Sequence, residues 1–68
     1  MKARFRVDSR VRAVKGPGSS MDAEPYNIGK TGTVIRVEQA RGAAEPHYVV
    51  GFPHNVFDTI DESSLERA

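Results

Sequence analysis

The run Gly29-Lys30-Thr31-Gly32-Thr33-Val34-Ile35-Arg36-Val37-Glu38 constrains the fold more than any other part of this chain. Glycine reaches positive φ without steric penalty, so Gly29 and Gly32 read as a tight reversal that then straightens. The residues after that reversal are rich in β-branched side chains, with Ile35 and Val37 expected on one face and Arg36 and Glu38 on the other. A strand that is apolar on one side must have that side covered by the rest of the chain. With 68 residues available for the cover, the compact solution is a small closed or nearly closed barrel.

The remaining segments agree with an all-β reading. Phe5 and Val7 alternate with Arg4, Arg6 and Asp8, and residues 1–4 are expected to be flexible. Arg10–Lys15 reads as the first full strand, with Val11 and Ala13 opposite the arginines. Gly16-Pro17-Gly18-Ser19-Ser20 breaks it and opens a long loop to Ile28, where Met21, Tyr26 and Ile28 are expected to fold back over one end of the barrel. The organising strand is expected from Thr33 to Gln39, a third strand over His47–Phe52 and a fourth over Val56–Ile60. Asp61–Ser64 reads as one helical turn capped by Asp61, and Leu65–Arg67 as a final strand. No segment has a helical period and no repeat is present. The layout is that of a single domain over residues 1–68: a small five-stranded SH3-like barrel with a long first loop and one helical turn before the last strand.

Composition narrows the class further. There are no cysteines, which removes disulfides and thiolate metal sites and suits a reducing compartment. No apolar run approaches the ~20 residues that span a bilayer, and the start of the chain is charged, so a soluble cytoplasmic protein is expected. The net charge is +1, but Lys2, Arg4, Arg6, Arg10, Arg12 and Lys15 crowd the first fifteen residues while Asp58, Asp61, Glu62 and Glu66 crowd the end. If the two ends are neighbours, these charges pair with one another. That leaves a nucleic-acid-binding barrel as the weaker alternative, since such a protein needs an uncompensated basic stripe.

Three stretches together carry a resemblance. Tyr26-x-x-Gly29-Lys30-Thr31-Gly32-x-Val34, Tyr48-x-Val50-x-Phe52 and Ile60-Asp61-Glu62-Ser63-x-Leu65-Glu66-x-Ala68 resemble the C-terminal barrel of the nitrile hydratase β subunit. Phe5-x-Val7-x-x-Arg10-Val11-Arg12 matches as well, with Asp8-Ser9 in place of the usual Gly-Asp. The same superfamily includes the variable chain of ferredoxin–thioredoxin reductase, a photosystem I accessory subunit and the type II dihydrofolate reductases. The resemblance implies a non-catalytic scaffold or accessory subunit that associates with itself or with a protein partner. Hydratase chemistry is not implied, because that family's metal-binding cysteines lie in the other subunit.

The same superfamily also offers an enzymatic alternative. Type II dihydrofolate reductases are similarly short barrels that assemble as four copies around one pore and use NADPH. The resemblance would place their pore-lining segment at Phe57, Asp58, Thr59 and Ile60, where all four residues differ from the family's, with Lys15 as a nearby cation. Asp58 would bring negative charge toward an anionic cofactor, which opposes binding.

Other candidate chemistry is thin. Gly29-Lys30-Thr31-Gly32 lacks the spacing and the succeeding helix of a phosphate loop. His47 and His54 can meet across the hairpin between strands three and four, but two imidazoles without a third ligand make a poor zinc site, so no metal is expected. Asp58, Asp61 and Glu62 are carboxylates in a terminal acidic run, expected to stay solvated. Tyr26, Tyr48 and Phe57 are the candidates for a subunit interface, where aromatic side chains are enriched.

Overall fold

A computed structural model describes residues 3–15, 23–39, 41–42 and 45–68. It is all-β: five antiparallel strands form one sheet in the order β4-β3-β2-β1-β5. The strands are β1 (Arg10–Ala13), β2 (Thr31–Glu38), β3 (His47–Phe52), β4 (Val56–Asp61) and β5 (Leu65–Arg67). Two single 3-10 turns interrupt them, η1 (Pro25–Asn27) and η2 (Glu62–Ser64). Met21 and the Gly16–Ser20 break lie outside the described residues. Arg4, expected in a flexible start, donates its amide to Glu62 Oε2 at 2.9 Å.

The sheet must curl. Its two edges are β4 and β5, yet η2 alone joins them, and a 3-10 turn advances the chain by only about 8 Å over four residues. The outer strands of a flat five-stranded sheet would stand about 19 Å apart. Among the described residues no ladder joins β4 to β5. Inside the curl, Val11 and Ala13 of β1, Val34 of β2, Tyr48, Val50 and Phe52 of β3, Ile60 of β4 and Leu65 of β5 form one buried cluster with Phe5 and Ala23. Phe5 packs edge-on to the Tyr48 ring, with centroids 5.4 Å apart.

The organising strand differs from its expected phase. It begins at Thr31, and Val34 rather than Ile35 is buried. A bulge explains this: Val34 pairs with Val50 and Arg36 with Val49, leaving Ile35 as an extra residue on β2. The extra residue shifts the alternation, so Val34 and Val37 serve the core while Ile35 turns outward. Gly32 is not a hinge either. It lies inside β2, and a Cβ there would stand 2.7 Å from Val50 Cγ1. Gly29 makes the reversal, with φ at 89°.

The charged ends do lie side by side. β1 and β5 pair antiparallel, and Arg12 Nη1 meets Glu66 Oε2 at 2.7 Å across that ladder. Val7 is exposed rather than joined to Phe5 in the core.

Candidate functional site

Alternation sorts the β4 candidates onto two sides. Phe57 and Thr59 point outward, while Asp58 and Ile60 face the inner side, so the four do not line one surface. Ile60 is fully buried in the core. Asp58 is tied to η1: its Oδ2 accepts from the Glu24 amide at 2.9 Å and from Asn27 Nδ2 at 3.1 Å. This explains how Asn27, 1% exposed, sits inside while Tyr26 and Ile28 stand in solvent instead of covering the core. Lys15 is exposed beyond the end of β1.

Of the three interface candidates, Phe57 and Tyr26 are each 61% exposed and Tyr48 is 0% exposed. Tyr48 therefore belongs to the core and offers nothing to a partner. Its hydroxyl donates to Glu62 Oε2 at 2.6 Å and accepts from the Phe5 amide at 3.3 Å. Burial, reinforced by the hydrogen bond to the Glu62 carboxylate, pushes this phenol up to about 12.

The histidines do not meet. His47 opens β3 and lies opposite Asp61, whereas His54 sits in the turn at the other end of the same hairpin. His47 Nδ1 is 2.5 Å from Asp61 Oδ1, and both side chains are largely buried. Asp61 thus spends its carboxylate on the β3–β4 seam and makes no side-chain cap on η2. Asp61 and Glu62 are consequently packed rather than solvated. Among the described residues no group of three or more potential metal ligands forms, and no helix is long and apolar enough to cross a membrane.

Two surface features remain. On the outer face, Gly51 of β3 lies between Ile35 and Phe57: a Cβ on it would be 2.8 Å from Ile35 Cδ1 and 3.4 Å from Phe57 Cε1. The two apolar side chains therefore gather over one glycine, with Ile35 itself 46% exposed. The bulge that presents Ile35 left no mark in the amino-acid pattern. The second feature is a groove at one end of the sheet, bounded by Asn27, Lys30, Thr31, Phe52, Pro53, His54 and Val56. Its clearest sequence signal is Pro25 at the start of η1, a position that favours a turn.

No family model, curated protein or solved structure matches this chain. The class defined by the geometry of the described residues is a small all-β module with a buried polar seam, an outward apolar patch and an end groove.

Proposed function

We propose that this chain is a non-catalytic SH3-like barrel of the nitrile hydratase β kind, a scaffold or accessory subunit acting through protein association. The carrying observation is the pair Ile35 and Phe57, exposed together over Gly51 on the outer face. Large apolar side chains grouped on a surface favour protein contact, and aromatics anchor such contacts. A core this small supplies only ~3–5 kcal/mol, so burying that patch in an assembly would add to a modest margin. The lack of cysteine suits a cytoplasmic setting.

Sedimentation across a range of concentrations, paired with capture from native extract, tests the reading. Association that is lost in a Phe57→Ser, Ile35→Thr variant supports it. A monomer that captures no partner overturns it. Asp58 and Ile60, turned to the inner side, do not favour the NADPH-dependent reductase alternative. Purified protein that oxidises NADPH when dihydrofolate is present would restore that alternative.

A further inference from the structure

We infer that the groove between η1 and the Pro53–Asn55 turn is a binding site for a carboxylate carried on an apolar body. The groove encloses about 370 Å³, inside the ~300–1,000 Å³ range of small-ligand sites. Phe52, Pro53 and Val56 give it apolar walls, which take a hydrocarbon or aryl group. Lys30, Thr31 and His54 bring hydrogen-bonding groups to the same space. Lysine is a donor with no acceptor, so its ammonium calls for an anionic oxygen.

The charge is open to a ligand. Lys30 is exposed and joins none of the ion pairs among the described residues. The Asp58 carboxylate is turned to η1, where the Glu24 amide and Asn27 Nδ2 hold its Oδ2. Those bonds also fix Asn27 as part of the groove wall, so the wall is built rather than assembled on binding.

The β3–β4 turn forms the other wall of the groove. His54 and Asn55 have φ of 67° and 60°, so two consecutive non-glycine residues hold the left-handed region. Consecutive positive φ is what a tight β-hairpin turn requires, and histidine and asparagine are among the non-glycine residues that adopt it most often. The turn so formed sets His54 at the groove. The chemistry favours carboxylate over phosphate, since one lysine beside apolar walls is not the arginine cluster that phosphate sites use.

The test is an NMR titration of the full chain. Its probes are sodium phenylacetate, phenylacetamide as the neutral isostere, and a peptide ending in Val-Phe with a free or an amidated C-terminus. The expected result is saturable shifts of the Lys30, Thr31, His54 and Val56 amides with an acid, and about tenfold weaker binding of its amide. Lys30→Met should lose about tenfold in affinity, Lys30→Arg should stay within about threefold, and Arg12→Ala should change nothing. Shifts from phenylacetate alone assign a small carboxylic acid, and shifts from the free-acid peptide alone assign a protein chain end. Equal binding of acid and amide, shifts confined to other residues, or no saturable shift from either acid would overturn the inference. The groove shares no residue with the Ile35–Phe57 patch, so its failure leaves the association reading intact and the reverse also holds.

Discussion

Gly32 lies so close to β3 that a Cβ atom on it would stand 2.7 Å from the carbonyl oxygen of Gly51. Backbone cannot yield to that approach as a side-chain tip can. Gly32→Ala is therefore expected at the severe end of overpacking, about 3 kcal/mol, which is most of the stability of a domain this size. Gly29 makes the useful contrast. A Cβ there meets nothing within 4 Å, and only its φ of 89° opposes substitution. Gly29→Ala should cost about 1 kcal/mol. Urea unfolding monitored by circular dichroism separates the two, and equal losses would show that the glycines serve one purpose.

Asp58→Ala should release η1. The substitution removes the acceptor of the Glu24 amide and of Asn27 Nδ2, at a cost of about 1–3 kcal/mol. Hydrogen exchange should rise over residues 24–28 while β3 keeps its protection. Uniform loss of protection across the sheet would mean that Asp58 supports the whole fold.

Tyr48 gives a pH test with a definite sign. An acid whose folded-state value is raised holds its proton more tightly when folded, so its contribution is fully present below the unfolded value near 10. That contribution is lost as pH climbs toward the folded value of about 12. Stability should therefore fall across that alkaline window in the parent and less steeply in Tyr48→Phe. Ultraviolet titration should find one tyrosine ionising late. Tyr48→Phe itself leaves the Phe5 amide and Glu62 Oε2 without the hydroxyl between them, a loss of about 1–2 kcal/mol at neutral pH.

Substituting the outer patch should behave in the opposite way. Phe57→Ser with Ile35→Thr removes exposed apolar surface, so monomer stability should move by about 0.5 kcal/mol or less. The effect should appear instead as a lower sedimentation coefficient or a lost partner. A large drop in the unfolding midpoint would show that these side chains serve the fold.

How far the sequence could be read depended on whether structure arose from local pattern. His47–Phe52 and Leu65–Arg67 match the strands found because turn residues bound them and alternation runs unbroken. β2 was legible as a strand, but its phase was not. One bulged residue exchanges the roles of Val34 and Ile35, and no residue type announces a bulge between two β-branched neighbours. Tyr26 was misplaced for a different reason. Hydrophobicity sends tyrosine inward, but a distant carboxylate, Asp58, draws the asparagine amide in its place. The seam between His47 and Asp61 was likewise invisible, since it needs the β3–β4 register rather than either residue alone. The end groove joins residues from three separated segments, so only the folded chain brings Lys30 and His54 into one space.

The ladder that pairs Arg12 with Glu66 joins positions 54 apart, whereas the β2–β3–β4 meander needs only neighbouring hairpins. Such a distant clasp gains nothing until the chain between its halves has been ordered, so it is expected to set the pace at which the molecule assembles, in roughly the millisecond-to-second range of all-β domains of this kind. Rewiring the strand order so that β5 directly precedes β1 would turn the slowest closure into a hairpin. The rearranged chain should refold sooner while keeping the same pairings.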